Sequence, residues 1–258
     1  MNALFHLLAI TALAVTAPAA EQPLATWVVA QNQTVRLGAA VRVSVVVSNQ
    51  TSQVVEADRS ATAFDCFEVT APDGHVLPYV GFDGQVMMNP VRVQPSSTAV
   101  LADALDLTDK YILRVTGRYS IRFTGGGTGV PASRPITLDI APGQLSEFDQ
   151  LAVRLLSVCP NGWHLAKDAR GEVTPFGRAR VPGFAAHVCR NHMRGEAVYL
   201  WFTQAEAKVD SEHEPRVKVE YLGRARGLCV YAAVDKNTPP LWPTAIEDIS
   251  HALQLTKE

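Results

Sequence analysis

The residues best suited to chemistry lie together late in the chain, in the segment His187-Val188-Cys189-Arg190-Asn191-His192. In a β-strand, His187 and Cys189 share one face, because successive side chains alternate. His192 would then approach from the following turn, and imidazole and thiolate are both ligands of divalent metals such as zinc. The segment therefore predicts a metal site. The alternative is that Cys189 belongs to the core while the two histidines flank the strand at the surface.

Motifs of the better-known enzyme classes are absent from the sequence. There is no CxxC pair and no HExxH helix, and the pair His213-Glu214 is followed at once by Pro215. No G-x-S-x-G turn is present for a serine hydrolase. The run Gly125-Gly126-Gly127 lacks the G-K-[ST] ending of a phosphate loop. An enzyme is therefore the less favoured of the two interpretations, and no cofactor is expected.

The four cysteines are unevenly divided, with Cys66 in the first half and Cys159, Cys189 and Cys229 in the second. An odd number in each half leaves at least one thiol in each unless a bridge joins the halves. Three pairings are open within the second half, and Cys159–Cys189 is the one we favour. The alternative is that all four are small, buried apolar residues.

The N-terminus is typical of an export signal. Residues Ala3 to Val15 are mostly apolar, and Ala17-Pro18-Ala19 offers small residues for cleavage after Ala19. We therefore expect a signal peptide at 1–19 and a secreted or periplasmic protein. No later apolar run reaches about 18 residues, so no membrane span is expected after its removal. Asn32 and Asn49 match the glycosylation sequon, which matters only in a eukaryotic source.

Composition limits the kinds of partner. Lys and Arg number 23 against 25 Asp and Glu, for a net charge of -2. A nucleic-acid binder is usually strongly basic, so no nucleic acid is expected as a partner. Apolar residues make up 47% of the chain, which is enough for a sizeable core.

The first half alternates with a period of two, as in Val41, Val43, Val45 and Val47. Turn signals such as Ala71-Pro72-Asp73-Gly74 separate its β-rich segments. The predicted strands are Thr26–Ala30, Val41–Ser48, Ala63–Thr70, His75–Val80, Thr98–Leu105, Gly117–Phe123 and Pro135–Ile140. About seven short strands with regular turns predict an all-β antiparallel sandwich at 20–141.

The second half, 142–258, has a different period. Apolar residues from Leu145 to Leu156 follow helical spacing, and Ser146 with Asp149 resembles a capping pair. The stretch from Lys167 to Pro182 predicts a loop or an irregular hairpin. The predicted strands are Ala185–Cys189, Ala197–Thr203, Val217–Leu222 and Leu228–Val234, with a last helix containing Ile246, Ile249 and Leu253. The half is thus a small α+β domain with two helices on an antiparallel sheet.

A resemblance covers about Val41 to Phe123, through SVVVSNQTSQVV, FDCFEVTAPDGHVLPYVG and GRYSIRF. These segments resemble the immunoglobulin-like module that precedes the catalytic domain of deuterolysin-type metalloproteases, and the bacterial proteinase inhibitors of the BsuPI type. The resemblance implies an immunoglobulin-like sandwich in which Tyr119 caps a nearby backbone group. The second half resembles only uncharacterised exported bacterial proteins.

The leading hypothesis is an exported, non-enzymatic binding protein whose partner is a protein or another envelope component. Such sandwiches usually bind through loops or strand edges. We expect the contacts in the loops Phe82–Pro90 and Thr124–Gly129, at residues Phe82, Met87, Met88, Gly125, Gly126 and Gly127. One alternative is proteinase inhibition through the sandwich. The other is a metal-dependent enzyme using His187, Cys189 and His192.

Overall fold

A computed structural model describes residues 23–62, 65–81, 89–125, 128–159, 163–169, 174–181, 184–191, 197–204, 227–233, 248–254 and 256–257. The predicted signal peptide at 1–19 and the predicted strand at 217–222 lie outside the described residues. So do Phe82, Met87, Met88, Gly126, Gly127 and His192.

The N-terminal region, residues 23–141, is built from two main sheets and a short ribbon. The first sheet has the order β1 (Leu24–Ala30), β3 (Arg42–Asn49), β7 (Thr98–Asp106). The second has the order β2 (Thr34–Arg36), β9 (Ile136–Ala141), β8 (Gly117–Phe123), β5 (Phe67–Thr70). The ribbon pairs β4 (Val55–Ala57) with β6 (Val91–Val93). All pairings are antiparallel except that of β2 with β9.

The predicted strands differ from the observed ones mainly where a strand is short. β1, β3, β7, β8 and β9 lie where the alternation placed them, whereas β5 begins only at Phe67. The segment from His75 to Val80 is not a strand, since it makes only the isolated bridge Thr70–Val76. β2, β4 and β6 were missed because three residues cannot display a period of two.

Alternation along β3 places one face of the first sheet in the core. Val43, Val45 and Val47 are fully buried, and they share one hydrophobic cluster with residues of β8 and β5. Within that cluster the rings of Phe67 and Phe123 meet edge to face with centroids 5.7 Å apart. Each such side chain contributes roughly 1.5–3 kcal/mol by leaving water, so the contact between the sheets is mainly hydrophobic.

The described part of the C-terminal region contains helical segments and a six-stranded sheet. Helix α1 (Glu147–Val158) begins after Ser146, whose hydroxyl accepts a hydrogen bond from the Asp149 backbone N–H. This confirms the predicted cap. The sheet has the order β10 (Trp163–Ala169), β14 (Gly227–Ala233), β13 (Ala197–Gln204), β12 (Phe184–Asn191), β11 (Thr174–Val181), β15 (Thr256–Lys257). Its neighbouring strands are antiparallel.

Of the two alternatives predicted for Lys167 to Pro182, the loop is wrong, and an irregular hairpin describes only the part from 174 onwards, where β11 pairs with β12 with a register shift. Lys167 belongs to β10, and most of the stretch from 174 onwards forms β11. Charged and polar residues interrupt the apolar pattern in both strands, so no alternation signalled them. A second helical segment covers 248–252. The described chain is thus mainly β. None of its described helices has the length and apolar character that a membrane crossing requires.

The two regions share a hydrophobic cluster, which we call the junction. Helix α1 supplies Leu151, Ala152 and Leu155, and the N-terminal region supplies Val80 and Ile112. The remaining buried members come from the sheet and from the second helical segment: Leu165, Leu228, Val230, Ile249 and Leu253. Helix α1 therefore lies between one face of the six-stranded sheet and the end of the N-terminal region.

Candidate functional site

Of the three predicted metal ligands, the structure describes the backbone positions of two. His187 and Cys189 both lie on β12, two residues apart, opposite Trp201 and Tyr199 of β13. That register is consistent with both positions sharing a face. The predicted third ligand, His192, lies outside the described residues. Within those residues no three His, Cys, Asp or Glu side chains gather as a metal site would require. The metal site stays a prediction.

Among the described cysteines, Cys66 and Cys159 carry free thiols. Because Cys159 is free, the favoured Cys159–Cys189 disulfide is not formed. Burial raises the pKa of Cys66 to about 11 and that of Cys159 to about 11 as well. Since the thiolate is the nucleophile, these two side chains are poorly suited to attack a substrate at neutral pH.

The glycine-rich loop after β8 has a structural reason for its first glycine. Gly125 has a φ of +88°, and a Cβ there would lie 2.2 Å from the Val130 carbonyl oxygen. Its own carbonyl accepts hydrogen bonds from the backbone N–H and the hydroxyl of Thr128. Gly125 is thus required by the turn itself, and nothing in its geometry points to a ligand.

An exposed apolar row crosses the outer face of the first sheet. Trp27 of β1 pairs with Val46 of β3, and Val46 pairs with Val100 of β7. Trp27 is 37% exposed and Val100 is 49% exposed. Val29, two residues after Trp27 on the same face, is 47% exposed. We call Trp27, Val29, Val46 and Val100 the outer row.

Polar groups border the outer row on both sides. On one side the Ser44 hydroxyl donates to the Asp103 carboxylate at 2.7 Å, and the Ala104 N–H donates to that hydroxyl. Ala104 has a φ of +50°, where the pairing of β7 with β3 is irregular. On the other side Ser48 pairs with Thr98. An apolar centre with a polar rim is the usual anatomy of a protein interface.

One edge of this sheet pairs with no other described strand. Among the described strands, β1 pairs only with β3, so its other edge is open. Its sequence, Leu-Ala-Thr-Trp-Val-Val-Ala, contains no charge and no proline. Natural edge strands commonly carry such residues to prevent pairing with other chains. β1 therefore combines a free edge with exposed apolar side chains.

A cleft opens where the N-terminal region meets α1. Its wall consists of Leu77, Pro78 and Ile112 from the N-terminal region and Leu156 from α1, while His75 and Arg114 add polar groups. The cleft has a volume of about 210 Å³. Leu77 and Ile112 are buried, and His75 and Arg114 are exposed. We call this the junction cleft.

A buried ion pair fixes the same junction. The Lys167 ammonium of β10 bonds to the Asp149 carboxylate of α1 and donates to the Thr108 carbonyl oxygen at 2.7 Å. Side-chain exposure is 9% for Lys167 and 16% for Asp149. The Lys167 backbone N–H also donates to the Val80 carbonyl. One residue thus ties the sheet, the helix and the N-terminal region together.

Sequence reasoning missed these surfaces for different reasons. Trp27-Val28-Val29 are consecutive apolar residues in a strand, and that run was a usable signal for apolar residues on both faces. Lys167 offered no local signal, because its partners lie 18 and 59 residues away. The residues of the junction cleft likewise come from three separate segments.

Comparisons with known proteins give little guidance. No protein-family model matches the chain, and no curated protein does so either. A β-glucosidase from Listeria innocua, solved in complex with isofagomine, is similar over 48% of this chain and 17% of that chain. Sequence identity is 10% and the TM-score is 0.26. A likeness that low supports neither a fold nor an activity for this chain.

Proposed function

We propose that the chain is an exported, non-enzymatic binding protein that holds a partner protein on the outer row and the free edge of β1. The outer row carries this proposal. A tryptophan and three valines lie on one side of a sheet that already buries its other side in the core. Three of these four side chains are exposed and Val46 is half-buried. Apolar patches rimmed by polar groups are characteristic of protein interaction sites.

The proposal includes an immunoglobulin-like fold for the N-terminal region, on two supports. The first is the sheet arrangement, β1-β3-β7 against β2-β9-β8-β5, which has the three- and four-stranded division of such sandwiches. The second is the hydroxyl of Tyr119, which donates to the Val115 carbonyl at 2.9 Å, four residues before it. That hydrogen bond is the corner feature of such sandwiches.

Export is the part of the proposal that rests on the sequence. The apolar segment Ala3 to Val15 and the small residues before Ala20 support a cleaved signal. N-terminal sequencing of protein recovered outside the cytoplasm tests this directly. We expect a mature chain that begins at Ala20. Recovery of the intact Met1 chain from the cytoplasm only would contradict export.

The binding surface is tested with a double variant, Trp27→Lys with Val100→Lys, and a matched control, Val54→Lys. Val54 is as exposed as Val100, at 49%, but does not belong to the outer row. Captured proteins are identified by mass spectrometry, and the affinity of each purified partner is then measured. Hot-spot truncations cost about 2 kcal/mol or more. We therefore expect the double variant to weaken binding at least about 30-fold.

The control variant should bind as the wild type does. Equal affinity of the double variant and the control would contradict the assignment of the outer row. A secreted protease among the partners, inhibited by wild type but not by the double variant, would support the narrower function of proteinase inhibition. The metal-dependent alternative is tested separately: it predicts a stoichiometric metal in the wild type that is lost in His187→Ala.

A further inference from the structure

We propose that the junction cleft binds a small amphiphilic carboxylate, with its apolar group in the cleft and its carboxylate on Arg114. This site is separate from the outer row and does not depend on it. Two sources share the chemistry, namely a short-chain fatty acid and the C-terminal residue of a peptide with an apolar side chain.

The size of the junction cleft suits one medium-sized apolar group. Its volume of about 210 Å³ exceeds the roughly 150 Å³ of an apolar cavity known to hold benzene. It is smaller than the roughly 300–1,000 Å³ of sites for drug-sized ligands. A leucine side chain or an acyl chain of a few carbons is therefore a better match than a nucleotide or an oligosaccharide.

The lining of the junction cleft is apolar on the inside. Leu77 and Ile112 are 7% and 6% exposed, and the half-buried Leu156 of α1 completes the wall. Ile112 itself belongs to the cluster that packs against α1. An apolar group placed here would leave water, and each buried methylene group contributes to binding.

Two basic side chains border this apolar lining. Among the described residues, the Arg114 guanidinium forms no hydrogen bond and no ion pair, and the His75 imidazole forms none either. Asp73 is the nearby acid, and its carboxylate accepts the His75 backbone N–H at 3.0 Å. By contrast, Arg118 is paired with Asp139. A guanidinium can bind a carboxylate through two parallel hydrogen bonds, so Arg114 is the group that selects an anion.

In the test, the full-length mature chain is titrated with four probes, and binding is measured by calorimetry and by ligand-observed NMR. Hexanoate and N-acetylleucine carry the carboxylate, whereas hexanamide and N-acetylleucinamide are their neutral counterparts. We expect one carboxylate to bind with a Kd of about 1 mM or below and its amide to bind about tenfold more weakly. The tighter carboxylate identifies the source, with hexanoate indicating a fatty acid and N-acetylleucine a peptide end.

Variants then assign the binding to the cleft. Arg114→Gln should weaken carboxylate binding about tenfold, because a charge-assisted hydrogen bond is lost. Arg118→Gln is the matched control, since it removes an exposed arginine that does not line the cleft, and it should bind as the wild type does. Leu156→Phe fills the cleft and should abolish binding, while circular dichroism verifies that the variant is folded.

Three results would overturn the proposal. They are saturation by neither carboxylate, equal binding of a carboxylate and its amide, and unchanged binding in Arg114→Gln. Loss of partner binding in the outer-row double variant with carboxylate binding intact separates this site from the proposed function. Wild-type protein that binds its partner but is saturated by neither carboxylate would leave the proposed function in place and remove this site.

Discussion

The two hydrophobic clusters of the chain bury their polar atoms in different ways. In the N-terminal core, Tyr111 and Tyr119 are almost fully buried, and each hydroxyl lies within hydrogen-bond distance of a backbone carbonyl oxygen, of Phe67 and Val115 respectively. The Tyr111 hydroxyl also lies 2.8 Å from the carboxylate of Asp65. In the junction, the buried polar contact is a charged pair, Lys167 with Asp149. The N-terminal core thus buries neutral hydroxyl donors, one of which also contacts a carboxylate, whereas the junction buries two ions from separate elements.

The difference indicates which contact is more easily disrupted. A neutral hydrogen bond contributes only about 0.5–1.5 kcal/mol, and its loss leaves a neutral group. Removing one ion of a buried pair leaves an uncompensated charge, which costs far more than the pair contributes. The N-terminal core should therefore tolerate polar changes that the junction does not.

The largest effect is expected for Lys167→Met. This change leaves the Asp149 carboxylate and the Thr108 carbonyl without their ammonium partner. We expect the free energy of unfolding to fall by about 3–5 kcal/mol, measured by urea denaturation.

The double change Lys167→Met with Asp149→Leu removes both ions and is the control for this result. It should recover most of the lost stability, because an apolar pair of similar volume is often neutral or stabilising in place of a buried ion pair. If the double variant is as unstable as the single one, the charged pair is not what distinguishes the junction from the N-terminal core.

A smaller, pH-dependent effect is expected in the N-terminal core from Cys66. Burial raises its pKa to about 11 from an ordinary value of 9.0, so the neutral thiol stabilises the folded state. That contribution is complete below pH 9 and is lost as pH rises to 11. This difference in pKa between the unfolded and the folded state corresponds to about 2–3 kcal/mol of stability. Other groups titrate in this range, so wild type is compared with Cys66→Ala across it.

Between pH 9 and pH 11, Cys66→Ala should lose less stability than the wild type. It should also be less stable than wild type below pH 9, because it leaves a small cavity. Parallel stability curves for the two proteins would show that the Cys66 thiol is not perturbed in the folded state.

The smallest effect is expected for Tyr119→Phe. The variant keeps the ring in the core and loses the hydrogen bond to the Val115 carbonyl. Val115 itself is 43% exposed. Water can therefore replace the hydroxyl, and we expect a loss of about 1 kcal/mol in urea denaturation. Tyr111→Phe should cost more, because the Tyr111 hydroxyl lies 2.6 Å from the buried Phe67 carbonyl oxygen and 2.8 Å from the Asp65 carboxylate. The opposite ranking would contradict the view that a buried carbonyl and a charged partner raise the cost of losing the hydroxyl.

Local patterns in the sequence predicted the parts of the fold that depend on neighbouring residues. The alternating valines of β3, the glycine and tyrosine that begin β8, and the Ser146 cap of α1 all lie where their spacing places them. The glycosylation sequon at Asn49 illustrates the limit of such patterns. Asn49 is buried and donates to the Gln53 and Val93 carbonyls, so it is not available for modification as folded.

The surfaces with a functional interpretation were decided by tertiary structure. A sequence determines which residues of one strand share a face, because that follows from the backbone period. It does not determine that β1 is an edge strand, that Trp27 aligns with Val46 and Val100, or that Arg114 borders a cleft whose other wall is α1. Those relations depend on pairings between segments far apart in the chain, and Lys167, which joins three such segments, could be interpreted only once they were folded together.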